Sequence, residues 1–170
     1  MPKPRRLAQM NDLDERFMKR ALELADAAAS LGEVPVGAVV VLDGEIISEA
    51  YNRRETDKNA LAHAETMAID AACRKLGGWR LHKCDLYVTL EPCPMCAGAI
   101  VNSRIKRVII GAKDPKAGAF GSLFNFNFYP LNHHPQVEFG VCQREASELL
   151  QIFFKNLRNR REKDKNTNKY

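Results

Sequence analysis

Between Asp85 and Gly111 the chain switches period twice within a few turns. Asp85–Leu90 is an apolar run of strand length, residues 93–103 carry helical spacing, and residues 105–111 return to a strand. Two strands joined by so short a helix form a parallel pair, because the crossover must pass over one face of the sheet, and it does so right-handed. Parallel strands are buried on both faces, so helices are needed on the other side as well. This one segment excludes an all-β barrel and a helical bundle.

The flanking sequence supplies the missing layers. Leu13, Phe17, Ala21, Leu24, Ala28 and Leu31 recur at spacings of three and four, which predicts an amphipathic helix opening near Asp12 and stopped by Gly32. Residues 36–42 and Glu45–Tyr51 are strands around Asp43-Gly44, a two-residue hairpin signal. Residues 52–61 read as a loop. A second helix then presents Met67, Ala68, Ala71, Ala72 and Leu76 and closes at Gly77-Gly78. After the parallel pair comes a long connection over 113–135, an edge strand near 137–140 and a final helix over about 144–161. The order α-β-β-α-β-α-β-β-α predicts a three-layer α/β/α sandwich around a mixed, mostly five-stranded sheet. With 170 residues and no internal repeat or linker, a single domain over 1–170 is expected.

Charge is unevenly placed. The net charge is +5, but residues 1–11 hold three bases (Lys3, Arg5, Arg6) and no acid, and residues 155–170 hold seven bases against two acids. The segment between them is therefore acidic, and the positive charge lies in two terminal arms. Such arms suit a phosphate backbone, and they suit equally a helix end kept soluble by charge. No run approaches the roughly 20 apolar residues of a membrane helix. Nor does the basic N-terminus lead into a secretory core, so a cytoplasmic protein with no membrane partner is expected.

Five cysteines show no disulfide spacing. Cys73, Cys84 and Cys142 are scattered and read as small buried hydrophobes. Cys93 and Cys96 differ: in Pro92-Cys93-Pro94-Met95-Cys96, two thiols three apart at a helix start face one way, where the helix end favours thiolates. Alone, such a pair fits a redox couple or a metal half-site. The other half is His63-Ala64-Glu65 at the start of the preceding helix. His63, Cys93 and Cys96 make three ligands, the number of a catalytic Zn2+ site whose fourth position is left to water. Glu65 then stands beside that water as proton carrier. His-x-Glu followed by Pro-Cys-x-x-Cys is the signature of zinc nucleobase deaminases. The alternatives are a deaminase of a free base or nucleotide and a zinc module that binds nucleic acid without catalysis.

Further segments narrow the resemblance: residues 33–39 (Glu-Val-Pro-Val-Gly-Ala-Val), Tyr51-Asn52-Arg53, the extended motif over 87–99, Gly111-Ala112-Lys113-Asp114-Pro115, Leu131-Asn132-His133, and Phe153-Phe154-Lys155-Asn156-Leu157-Arg158. Over about residues 15–158 the chain resembles the bacterial tRNA-specific adenosine deaminase family, within the cytidine-deaminase-like superfamily. The resemblance implies a zinc-dependent hydrolase and homodimer that converts the wobble adenosine of a tRNA anticodon stem-loop to inosine and ammonia. It also implies that Asn52 holds the target nucleoside with help from Asn132, and that the Ala64 N–H holds the base. Asp114 would contact nucleotides at the pocket mouth, and Phe154 and Arg158 the RNA. Residues 124–129 (Phe-Asn-Phe-Asn-Phe-Tyr) are more aromatic than the family suggests. Ordinary packing makes these rings core or dimer contacts, although stacking on splayed bases also suits them. His82 reads as a surface residue, and His134 takes no role.

Overall fold

A computed structural model describes the backbone of residues 4–167 and the side chains of 12–165. Its sheet has the order β2-β1-β3-β4-β5, built from β1 (Gly37–Leu42), β2 (Glu45–Tyr51), β3 (Asp85–Leu90), β4 (Arg107–Ala112) and β5 (Gln136–Phe139). β1 runs antiparallel to β2 and β3, whereas β3, β4 and β5 are mutually parallel. The β1–β2 turn places Asp43 at φ 51° and Gly44 at φ 79°. Two successive positive φ angles match the twist of the strands they join.

Alternation along each strand sorts the core into two layers. Ala38, Val40, Leu86, Val88, Val108 and Ile110 pack under α2 (Ala64–Leu76) and α3 (Pro94–Ser103). Val39, Val41, Tyr87 and Ile109 turn to the opposite face and meet Phe17, Met18, Ala21 and Leu24 of α1 (Pro4–Ser30). The long helix α4 (Gln143–Thr167) shares that second face, with Ala146 seated over Gly111. Helix α1 lies directly on β1 at Gly37, where an added Cβ would stand 2.0 Å from the Ala21 carbonyl. No side chain fits there. The expected α/β/α sandwich is thus the one observed, with all five strands in place.

The differences have physical reasons. The backbone of α1 begins at Pro4 rather than near Asp12, because the apolar stripe records only the part that faces the sheet. Leu13 and Leu31, at the ends of that stripe, are exposed. The expected arm of residues 1–11 is a helical extension from Pro4, and its basic side chains lie outside the described residues. α4 runs on to Thr167, with polar, exposed side chains from Arg158 to Lys165, so periodicity gave no sign of its end. Cys84 is buried as expected, but Cys73 and Cys142 are only half-buried. His82 is exposed.

One polar cluster, illegible in the sequence, ties the layers together. Arg107 on β4 is bonded to Asp14 of α1, Asp85 of β3 and Glu138 of β5 at 3.1, 2.8 and 3.0 Å. The Tyr87 hydroxyl donates to Asp14 at 2.6 Å. The cluster sits at the N-terminal ends of the parallel strands, which leaves their C-terminal ends, around Leu90 and Ala112, for ligands.

Candidate active site

Both helices of the first layer begin beside the C-terminal edge of β3. His63 is the N-cap of α2, with extended backbone at φ −82° and ψ 151°, and Cys93 is the N-cap of α3, with Pro94 in its first turn. Because His63 stands outside its helix, its ring is freed from helical geometry. Cys96 completes the group from the first turn of α3. The His63 Nδ1 atom is 3.7 Å from Cys93 Sγ and 3.5 Å from Cys96 Sγ, and all three atoms lie within 4.8 Å of one another. Zn–S bonds of about 2.3 Å and Zn–N bonds of about 2.0–2.1 Å at tetrahedral angles separate nitrogen from sulfur by about 3.6 Å. The donor set fits zinc.

The electrostatics agree. The Cys96 thiol bonds Cys93 and brings its pKa down to about 4, while Cys96 itself is pushed up. The same Cys93 sulfur raises His63. The three groups compete for protons in the space a cation would fill. Glu65, one residue into α2 beyond Ala64, is 4% exposed and stands outside the donor set. Burial pushes its carboxyl up to about 7. A buried carboxyl poised near neutrality can take a proton and give it back.

Above this group is a cavity of ≈190 Å³, walled by Val34, Val36 and Leu90 and reached by Asn52, Ala64, Glu65 and Asp114. Asn52 is buried, donating from Nδ2 to the Val34 carbonyl at 3.3 Å and accepting the Arg54 N–H at 3.4 Å, which fixes its amide plane. Ala64 opens α2, where the first N–H groups have no intrahelical partner. Asp114 turns one carboxylate oxygen back to the Lys116 and Ala117 N–H groups at 2.9 and 3.3 Å. An adjoining groove of ≈620 Å³ shares Val34, Leu90 and Asp114 and adds Lys113, Lys116, Phe154 and Arg158.

The structure therefore brings together every expected site residue except one. Asn132 is exposed and lies at the far end of the sheet: its neighbour His133 bonds the Ile105 carbonyl at 2.6 Å, and the Gln136 N–H bonds Lys106 at 2.9 Å. The connection leaves β4 at the cavity but must enter β5 parallel to it, so it travels back the length of the strand, about 20 Å over six residues. Asn132 sits at the end of that journey and has no place in its own chain's pocket. Of the aromatic run, Phe126 packs on the core, while Phe124, Phe128 and Tyr129 face outward. Core packing thus accounts for one ring of four. Sequence reasoning missed Arg54 and Glu91, which also line the cavity. Glu91, an acid immediately before the Pro-Cys motif, was the available signal.

Residues 11–112 match the family model of the cytidine and deoxycytidylate deaminase zinc-binding region. The tRNA-specific adenosine deaminase of Bacillus subtilis (strain 168) is 50% identical over 149 residues, covering 87% of this chain and 92% of that protein. Its counterpart from Aquifex aeolicus is 53% identical over 146 residues, with coverage of 85% and 96%. Among solved structures, one from studies of A-to-I editing by tRNA:A34 deaminases at the wobble position of transfer RNA has 47% identity and a TM-score of 0.78, covering 79% of this chain and 99% of that one. A guanine deaminase from Nitrosomonas europaea has 27% identity and a TM-score of 0.69, covering 82% and 83%. With near-complete coverage of these relatives at about half identity, the chain belongs to the tRNA-specific adenosine deaminases, within the zinc-binding cytidine and deoxycytidylate deaminase group.

Proposed function

We propose that this protein hydrolyses the 6-amino group of the wobble adenosine in a tRNA anticodon loop, yielding inosine and ammonia. One observation carries the reading: three donors spaced for zinc have a buried carboxyl beside them, and His63, Cys93 and Glu65 line a small cavity that adjoins a basic groove. Zn2+, held by His63, Cys93 and Cys96, supplies the Lewis acidity that makes water a nucleophile near neutral pH. Glu65 takes a proton from the water that attacks C6 and sets it on N1. It then carries the second proton to the departing amine, so that ammonia leaves and the C6 oxygen remains. Asn52 and the Ala64 N–H orient the nucleoside, and Asp114 stands at the mouth.

The cavity is small beside the ~300–1,000 Å³ of ordinary ligand pockets, and suits one extruded base. The neighbouring groove favours a polymer over a free base. Lys113, Lys116 and Arg158 line it where flanking phosphates would run, and Phe154 offers a face for stacking. A homodimer is part of the proposal: Phe128, at 85% exposure, lies near the exposed Phe124 and Tyr129 in sequence, and a second copy would cover them. So is a cytoplasmic setting; none of the described helices is long and apolar enough to cross a membrane.

The test incubates the purified protein with an adenosine-bearing anticodon stem-loop, with bound metal and sedimentation measured on the same sample. Inosine, one zinc per chain and a dimer's mass are expected. Activity on free guanine with none on the stem-loop would overturn the substrate.

A further inference from the structure

Glu91 takes no part in the chemistry above, yet it is 2% exposed and lies against the cavity. Its carboxylate accepts the Asp114 N–H at 3.0 Å and the Phe120 and Ser122 N–H groups at 3.1 Å each, and the Ser122 hydroxyl as well. Each oxygen takes two donors: Oε2 has Asp114 N–H and the hydroxyl, and Oε1 has the other two amides. All four donors belong to one stretch, residues 114–122, which carries Asp114 and Ala117 to the cavity. Apart from one bridge between Phe120 and Asn125, that stretch has no strand or helix to hold its shape.

The fit is close. A Cβ on Gly118 would fall 2.3 Å from the Glu91 carboxylate and 2.6 Å from the Asp114 carbonyl, so the loop can wrap the carboxylate only with glycine there. Asp114, in turn, caps its own turn through Lys116 and Ala117. The cap is therefore fixed to the end of β3 through this carboxylate, beside one backbone bond from the Ala119 N–H to the Pro92 carbonyl at 2.9 Å.

We propose that Glu91 is a positioning residue for the deamination: it gathers the backbone of residues 114–122 around its carboxylate and so sets Asp114 at the mouth of the nucleoside pocket. The inference rests on the proposed function, through the role of Asp114. Glu91→Gln preserves size but turns one acceptor into a donor facing N–H groups. This variant should keep one zinc per chain and lose roughly 10- to 100-fold in kcat/KM on the stem-loop, chiefly in KM, the scale of a misplaced substrate contact. Amide exchange at Asp114, Phe120 and Ser122 should accelerate. Because Glu91 acts through Asp114, Asp114→Ala should cost far less in the Glu91→Gln background than in the wild type. Fully multiplicative losses, or unchanged loop exchange with wild-type KM, overturn the proposal. Should Glu91→Gln not fold, Ser122→Ala removes one of the four donors, the exposed hydroxyl, and must show the same faster exchange and raised KM in milder form. A wild type that makes no inosine refutes the function instead, and the exchange measurement still decides whether Glu91 holds the loop.

Discussion

Glu65 is the residue on which the chemistry turns, and its place beside the three donors, bonded to Cys96 but not one of them, gives it a distinctive mutational signature. Glu65→Ala should retain zinc, measured by metal analysis, and lose turnover by roughly 100-fold or more, the scale of general acid–base catalysis. Loss of metal along with activity would make Glu65 a ligand. The site's donors were legible in the sequence because metal chemistry demands particular residue types at particular spacings. His63 and Glu65, two apart, look incompatible on a continuous helix, about 200° from one another. The structure resolves this by placing His63 one position outside α2. Asn132 lies away from its own chain's cavity for a different reason: a motif carries no information about how far a connection travels before the next strand. Asp14, Arg107 and Asp85 were invisible because no local pattern marks an ion cluster whose members come from three elements.

At the scale of elements, that cluster ties α1 to the parallel strands alongside its apolar face, which packs on Tyr87 and Ile109. Arg107 is 12% exposed and faces three carboxylates. Removing it leaves the buried Asp14 and the half-buried Asp85 without their counter-charge, a change that costs about 3–5 kcal/mol in comparable buried sites. Arg107→Met should lower stability by that order in urea unfolding, with zinc content at pH 7 unchanged, because the cluster and the donor set occupy opposite ends of the sheet. The strands themselves were readable from alternation and from Asp43-Gly44. Helix ends were not: α1 and α4 both run past the part that meets the sheet, and a solvated turn leaves no apolar period.

For the molecule as a whole, α4 is a rod of 25 residues, roughly 37 Å at 1.5 Å per residue. Its inner turns pack near the groove, and from Arg158 to Lys165 its side chains are exposed wherever the core no longer reaches. Deleting residues 155–170 should weaken stem-loop affinity and flatten its dependence on salt, since fewer counterions are released. Titration at several salt concentrations reads both effects, and zinc should stay in place. The net positive charge of the chain thus has a geometric meaning that composition alone did not settle.

The journey of the connection from the cavity to the start of β5 divides it into two tethered limbs. Glu91 anchors the first, and the His133 contact with Ile105 anchors the last. Between those moorings, past Phe126, the rings of Phe128 and Tyr129 face outward and, among the described residues, the backbone is held only by bonds within the connection itself. That interval is where the chain can absorb added or deleted residues, so relatives can differ in the surface they offer a neighbour while the reacting centre stays as it is.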